Sequence, residues 1–262
     1  MIDAKKFQQI VEEIAPLNYQ YEWDNSGWNI FCHDEIERVI TCLDVTDQIV
    51  EEAVEKGCDT ILSHHPMIFH AVKKILKDDP VTGIVLNAVK NNINVYCAHT
   101  SCDCSPVGLN LELAKMVGLH NPKLFIKEGE GYGIGFIGEL EKPMPSRQYA
   151  EFLKEKLDVR SLKFTDFSET ICKVAAVGGA AGEFFKEAYE MGAQALIVGE
   201  AKYNEFLDAK RLGIMLIEAG HFETEVNFAK MMRDGLQKRC DELKYNLTVE
   251  TSERLKAPYI AI

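Results

Sequence analysis

Short apolar runs alternate along the chain with segments whose apolar residues recur at helical spacing. Val39–Val45 is an apolar, β-branched run, and Thr46 then supplies an N-cap for a helix predicted over Asp47–Lys56, which Gly57 ends. Apolar strands separated by helices are typical of a parallel or mixed sheet covered on both faces. The other elements predicted in this region are a helix over Lys5–Ile14, strands over Thr60–Ser63 and Ile93–Ala98, and a helix over residues 81–91.

The same order of elements returns later in the chain. An offset of 135 residues aligns Gly57 with Gly192, and an offset of 121 aligns Ile93 with Ile214. We therefore predict two related α/β units that arose by internal duplication, with mixed sheets flanked by helices. The alternative is a chance resemblance between two ordinary strand-helix-strand units. The second set has strands over Val174–Val177, Ala195–Val198 and Ile214–Ile217, and helices over residues 183–191 and 204–211.

The predicted organisation is a first α/β half over residues 1–119, a connector over 120–172 and a second α/β half over 173–262, together one two-lobed unit. The connector holds a glycine-rich stretch, GYGIGFIG, and a helix predicted over Arg147–Leu157. Its glycines do not follow the G-x-G-x-x-G spacing of a phosphate loop, and their alternation with apolar residues favours a hairpin.

Charge and composition narrow the classes of function. The 262 residues include 29 Lys and Arg against 41 Asp and Glu, a formal net charge of −12 that disfavours nucleic acid as a partner. The apolar runs are too short to cross a membrane, and the N-terminal MIDAKKFQQIVEEI lacks a signal-peptide pattern, so we expect a cytoplasmic protein without a membrane partner. In that compartment the eight cysteines are expected to be reduced.

Histidines and carboxylates gather where predicted strands end, which is where open α/β sheets build their sites. His64 and His65 follow one strand, and Pro66 directly after them favours an end to that strand, which lets both imidazoles serve one centre. His99 and Asp103 follow the next strand. Each cluster alone also fits a satisfied polar residue or a surface turn.

His221 and Glu225 follow the strand predicted over Ile214–Ile217, and their i, i+4 spacing places them on one face of a helix. Mixed nitrogen and oxygen donors suit zinc, iron, manganese or cobalt, and five donors exceed what one tetrahedral ion requires. We therefore predict two divalent metal ions per chain in the cleft between the two α/β units. The predicted ligands are His64, His65, Asp103, His221 and Glu225.

Two further segments carry candidate functional residues. Glu22–Trp28 is an aromatic turn, interpreted as a loop pinned by its two tryptophans, with substrate contact as the alternative. Gly199–Asn204 occupies the position of the His64-His65 pair in the duplication, although ordinary surface charge explains it equally well. His99 and Glu200 are the candidates for proton transfer next to the metal ligands.

The chain resembles the family of NGG-interacting-factor-like proteins with a dinuclear metal centre, often named GTP cyclohydrolase I type 2 homologues. The resemblance spans nearly the whole chain. Its carriers are Trp23-Asp24-Asn25-Ser26-Gly27, Leu43-Asp44-Val45-Thr46, Ser63-His64-His65-Pro66, Ala98-His99-Thr100 with Asp103, Gly138-Glu139-Leu140, Gly199-Glu200 with Lys202-Tyr203, and Ala219-Gly220-His221-Phe222 with Thr224-Glu225.

The resemblance implies a two-part α/β fold and a toroidal homohexamer, built as a trimer of dimers, whose metal pairs face an internal cavity. It implies the same five metal ligands, with Glu225 as the bridge between the ions, and a short form without the domain that some relatives insert between the halves. Two positions depart from the family pattern. Asn204 stands where relatives often have a histidine, and Cys102 and Cys104 flank Asp103 where apolar or small residues are expected.

Two functions compete at this stage. A metal-dependent hydrolase would use a metal-activated water on a small-molecule substrate, either GTP as the family name suggests or another nucleotide or phosphoester. A non-catalytic, regulatory or scaffold hexamer would use the ions to stabilise its fold. The sequence contains no purine-binding signature, so GTP as substrate rests on the resemblance alone.

Overall fold

The computed structural model describes residues 1–167 and 169–260 and confirms a mixed α/β fold with two mixed sheets flanked by helices. The β-strands are β1 (Ile2–Asp3), β2 (Gly27–Ile30), β3 (Glu35–Ile36), β4 (Arg38–Cys42), β5 (Thr60–Ser63), β6 (Asn94–Cys97), β7 (Leu119–Gly129), β8 (Tyr132–Pro145), β9 (Lys163–Phe164), β10 (Thr170–Ala176), β11 (Ala195–Val198), β12 (Met215–Glu218) and β13 (Thr248–Thr251).

The helices connect these strands and cover the sheets, and short 3-10 turns at Leu17–Tyr19 and Gly182–Phe184 accompany them. In the described residues, no helix is long and apolar enough to cross a membrane. The α-helices are α1 (Ala4–Glu12), α2 (Asp47–Lys56), α3 (Thr82–Lys90), α4 (Thr100–Asp103), α5 (Leu109–Met116), α6 (Ser146–Lys156), α7 (Phe185–Glu190), α8 (Tyr203–Leu212), α9 (His221–Glu225) and α10 (Asn227–Leu243).

The first compact unit comprises Met1–Cys102 and Val226–Leu255. Its five-stranded sheet has the order β13-β4-β5-β6-β2, in which β2 is antiparallel to β6 and the other neighbours are parallel. Helix α2 forms as the sequence predicts, because the Thr46 side chain accepts a hydrogen bond from the amide of Ile49 and Gly57 ends the helix in the left-handed region, at φ 65°.

The second compact unit comprises Asp103–Glu225 and the described residues from Lys256 onward. Its six-stranded sheet has the order β7-β8-β10-β11-β12-β9, with parallel pairing from β10 to β12 and antiparallel pairing at the flanks. The glycine-rich stretch lies in β8, and the β7-β8 hairpin forms one edge of this sheet. Gly135 has a φ of 70°, a backbone conformation that residues with a side chain rarely adopt.

The topology of the two sheets supports the predicted duplication. Strands β5 and β11 start 135 residues apart, and strands β6 and β12 start 121 residues apart, which are the two offsets read from the sequence. Each unit has three successive parallel strands joined by helices, with an antiparallel strand beside the third. The two halves therefore share a strand-helix framework as well as a sequence pattern.

The compact units and the predicted halves divide the chain differently, because the halves follow sequence similarity and the units follow packing. Helix α10 and strand β13 come late in the chain, yet both belong to the first unit. Strand β13 pairs in parallel with β4, and the Thr41 hydroxyl donates to the carbonyl of Ala229 at 2.7 Å. Such pairings join residues about 200 positions apart, so no local pattern reveals them.

Candidate metal centre

The first unit places three imidazoles together beyond the ends of β5 and β6. The amides of His64 and His65 continue the ladder past β5 by donating to the carbonyls of Cys42 and Leu43, at 3.2 and 3.0 Å. The ring centroid of His64 lies 5.0 Å from that of His65 and 5.3 Å from that of His99. One nitrogen from each ring lies within 4.8 Å of the others, so these histidines could hold a metal ion.

The Nδ1 atom of each of these imidazoles meets an acceptor. His64 Nδ1 donates to the carbonyl of Ala98 at 3.0 Å, and His65 Nδ1 donates to Asp44 at 2.8 Å. A carbonyl or an ionised carboxylate only accepts, so the proton of the neutral ring sits on Nδ1 and the lone pair sits on Nε2. Ligating histidines in metalloproteins are oriented in this way.

His99 has the most strongly held ring of the three. Its Nδ1 donates to Asp24 Oδ1 at 2.7 Å, while the other Asp24 oxygen accepts from the amide and hydroxyl of Thr100 at 3.0 and 2.6 Å. Burial acts to raise the pKa of the Asp24 carboxyl, but these hydrogen bonds outweigh it and hold that pKa well below its ordinary value of 3.8. Asp24 is therefore an anion that fixes the His99 ring.

The second unit places an imidazole and a carboxylate together on α9. Gly220, with a φ of 95°, turns the chain from β12 into this helix, where His221 and Glu225 share a face as predicted. His221 Nε2 lies 3.0 Å from Glu225 Oε2, and His221 Nδ1 donates to Glu200 at 2.8 Å. Glu200 thus accepts a hydrogen bond from Nδ1 of His221 and orients that ring, as Asp44 does for His65.

Asp103 is the first residue of the second unit, and Asn110 ties it to the loop beside Glu225. The Asn110 side chain donates to the carbonyl of Asp103 at 3.1 Å and accepts from the amide of Gly178 at 2.7 Å. Asp103 and Glu225 are both buried, and their carboxylate oxygens are donors that suit a divalent cation. Three of the five predicted ligands, Asp103, His221 and Glu225, therefore belong to the second compact unit.

A cavity of about 230 Å³ opens beside His221 within the second unit. Its wall includes Glu200, Glu223, Arg160 and Tyr259. The Tyr259 hydroxyl donates to Glu223 at 2.7 Å, and burial together with this hydrogen bond raises the pKa of Tyr259 to about 12. A small molecule in this cavity would lie against the His221 and Glu200 side chains.

Gly179 provides a direct test of the Glu225 position. A Cβ atom built on Gly179 would lie 2.6 Å from Glu225 Oε1, whereas one built on Gly192 would meet nothing within 4 Å. Both glycines have left-handed φ values, 68° and 80°, so Gly179→Ala and Gly192→Ala should each cost about 1–2 kcal/mol in the free energy of unfolding.

Only Gly179→Ala displaces the Glu225 carboxylate, so only that variant should lose metal affinity. Denaturant titrations measure the stability of the two proteins, and equilibrium dialysis against divalent metal measures their affinity. Equal metal binding by both variants would remove Glu225 from the ligand set.

Sequence reasoning missed the acceptors that orient the histidines. Asp24 and Asp44 lie in segments singled out as motifs, yet neither was given a role. The signal available was their position in Trp23-Asp24-Asn25-Ser26 and Leu43-Asp44-Val45-Thr46. In the Glu22–Trp28 turn, Trp28 packs on Tyr96 with ring centroids 4.9 Å apart, whereas Trp23 is 60% exposed.

Comparison with known proteins identifies relatives over nearly the whole chain. A family model described as Duf34/NIF3 (NGG1p interacting factor 3) matches residues 2–258. A Clostridium perfringens protein named GTP cyclohydrolase 1 type 2 homolog is 32% identical over 236 residues, 88% of this chain and 90% of that protein. A Clostridium acetobutylicum protein of the same name is 29% identical over 263 residues, 98% of each chain.

Solved structures with the same fold also cover nearly the whole chain. A Staphylococcus aureus hypothetical protein superposes with a TM-score of 0.91 at 28% identity, covering 100% of this chain and 99% of that one. A Bacillus cereus protein related to NIF3 has a TM-score of 0.93 at 22% identity, covering 99% of both chains, and shows the same fold.

Proposed function

The chain belongs to the Duf34/NIF3 family, and on that premise we propose that it is a metal-dependent hydrolase with two divalent ions per chain. The proposed ligands are those predicted from the sequence: His64, His65, Asp103, His221 and Glu225. The observation that carries the proposal is the acceptor at Nδ1 of every proposed histidine ligand, which leaves the lone pair of each neutral ring on Nε2.

Both proposed carboxylate ligands lie where the chain passes from one compact unit to the other. The chain passes from one compact unit to the other at the peptide bonds Cys102–Asp103 and Glu225–Val226. Both proposed carboxylate ligands therefore stand at crossing points, covalently attached to the unit that carries His64 and His65. The proposed donors of the two units are thus linked through the chain next to Asp103 and Glu225.

Bound divalent ions would supply an activated water and would polarise an oxygen of the substrate. His99 and Glu200 are the proposed proton-transfer groups. Asp24 holds the His99 ring, and Glu200 accepts a hydrogen bond from His221 beside the cavity, so both side chains are oriented before substrate binds. The relatives named as GTP cyclohydrolase 1 type 2 homologs make GTP the first substrate to test, with other nucleotides and phosphoesters next.

The test is turnover of GTP and of a phosphoester panel by metal-loaded protein, EDTA-treated protein and His99→Asn. The asparagine amide keeps a donor for Asp24, so the variant should stay folded and keep its metal. Because a positioned proton-transfer group supplies about 100-fold or more, its turnover should fall by at least that factor. Absence of metal-dependent turnover of every substrate would contradict the hydrolase, and loss of metal from His99→Asn would make His99 a ligand instead.

The burial of donors favours a second candidate. His64, Asp103 and Glu225 are all buried, as are the ligands of closed structural metal sites. In this alternative the protein is a non-catalytic, metal-binding regulatory or scaffold assembly. It predicts that EDTA unfolds the protein, whereas the hydrolase predicts a folded apo form that regains activity when metal returns.

We also propose that the protein assembles as a homohexamer, as the family resemblance implies. Sedimentation equilibrium of the untagged protein measures the mass directly. A mass of six chains is the expected result, and a monomer or a dimer at all concentrations contradicts it.

A further inference from the structure

Three aromatic rings, of Tyr21, Trp23 and Phe69, lie beside His99 of the histidine cluster in the first unit. Trp23 stacks on Tyr21 with centroids 5.5 Å apart and an interplanar angle of 16°. Phe69, in the loop after the histidine pair, lies 6.0 Å from Trp23 at 58°. The His99 ring meets both edge-on, 6.1 Å from Trp23 and 6.2 Å from Phe69.

Two rings of this group, Trp23 and Phe69, are largely exposed to solvent. Trp23 is 60% exposed and Phe69 is 44% exposed, although both are large apolar side chains whose burial would stabilise the fold. Trp28 shows the contrast within the same segment, because it packs on Tyr96 and Phe7 and its indole donates to Gln8 at 3.3 Å. Trp28 therefore packs in the core, whereas Trp23 contributes little buried surface to the fold.

Hydrogen bonds join the two segments that carry the exposed rings. The Asn25 side chain donates to the carbonyl of Ile68 at 2.7 Å, and the Asn29 side chain accepts from the amide of Ile68 at 3.1 Å. These bonds fasten the loop of Phe69 to the turn of Trp23 and to strand β2, which follows it. The backbone amide of Tyr21 in turn donates to the Thr100 hydroxyl at 3.1 Å, beside His99. The rings are therefore preorganised, which lowers the entropic cost of binding a ligand.

We propose that Trp23 and Phe69 form an aromatic platform that binds the planar heteroaromatic ring of the substrate beside His99. A ring stacked on Trp23 on the side away from Tyr21 would meet Phe69 at an inclined angle and would lie next to the imidazole that Asp24 orients. Base-on-aromatic stacking tolerates many bases, because every base has a π-face, which explains a ring site without a purine-binding motif. The inference rests on the proposed function. Among the nucleotides and phosphoesters proposed there, it selects substrates that carry a heteroaromatic ring.

The test measures binding of guanosine 5′-monophosphate and ribose 5-phosphate to metal-loaded protein by calorimetry. The nucleotide should bind, and the sugar phosphate, which lacks the ring, should bind at least about tenfold more weakly. Trp23→Ala should weaken nucleotide binding about tenfold or more, and Trp23→Phe should restore part of it. Tyr189→Ala is the matched control, since Tyr189 is a 45% exposed aromatic residue on α7 of the other unit, and it should bind normally.

Equal affinity of wild type and Trp23→Ala for the nucleotide, or of the nucleotide and the sugar phosphate for wild type, would overturn the platform. So would a Trp23→Ala protein that changes its sedimentation mass without changing its affinity, because the aromatic surface would then be a subunit contact. Binding is measured without turnover, so failure of the platform and failure of the hydrolase are separate results.

Discussion

The His65→Ala protein should remain folded and lose about one metal ion per chain. His65 is partly exposed, and its partner Asp44 is 51% exposed, so leaving that carboxylate without an imidazole costs little stability. Removal of an imidazole ligand, by contrast, takes away a donor that no neighbouring water fully replaces. Elemental analysis of the purified variant measures the metal content, and circular dichroism measures the fold.

Two further variants keep this experiment decisive. His120→Ala removes a 56% exposed histidine from β7 and should retain the metal content of wild type. His65→Asn keeps a donor for Asp44 while removing Nε2, so it should lose the same ion with no change in folding. An unaltered metal stoichiometry in both His65 variants would exclude His65 from the site.

The Asp24→Asn protein should be less stable than wild type by roughly 2–4 kcal/mol at neutral pH. The Asp24 side chain is fully buried and accepts hydrogen bonds from His99 and from the amide and hydroxyl of Thr100. Hydrogen bonds to a charged group contribute about 1.5–3 kcal/mol each, and an amide in place of the carboxylate retains only part of them. Urea titration of both proteins measures the difference.

The pH dependence of this difference has a definite sign. The pKa of Asp24 is lowered in the folded protein, so its contribution is complete above the unfolded pKa near 4 and is lost as the pH falls toward the folded value. The gap between wild type and Asp24→Asn should therefore be constant from about pH 6 to 7 and shrink below about pH 4. Asp78→Asn, at an exposed position, should match wild type throughout. A gap that widens on acidification would contradict the role given to Asp24.

The elements that the sequence predicted best are those with local signals at both ends. Helix α2 and strands β5 and β11 have the predicted bounds, because Thr46 and Gly57 frame the helix and each strand is a short apolar run. Helix α10 was not predicted, although Phe228, Met232 and Leu236 recur at helical spacing on its buried face. Strand β13 was not predicted, because its position depends on pairing with β4, about 200 positions away. Local periodicity carries no information about such partners.

In the candidate site, too, residues with a local sequence signal could be predicted and their distant partners could not. His64, His65, His99, His221 and Glu225 could be found because each follows an apolar strand and has a residue type that binds metals. Their orienting partners could not be assigned, because the Asp24–His99 bond joins residues 75 positions apart and the Asp44–His65 bond joins residues 21 apart. Exposure of Trp23 was equally inaccessible, since a tryptophan between the two acidic residues Glu22 and Asp24 of a turn fits a buried or an exposed position.

Metal content per chain tests the central claim most directly. Elemental mass spectrometry on protein purified without an affinity tag or chelator, before and after mild EDTA, gives the number of ions, and thermal melting of the treated protein reports its fold. We expect two divalent ions per chain, removed and restored reversibly on a folded protein. Fewer than one ion per chain in the untreated protein, with no uptake when divalent metal is added, would contradict the dinuclear centre.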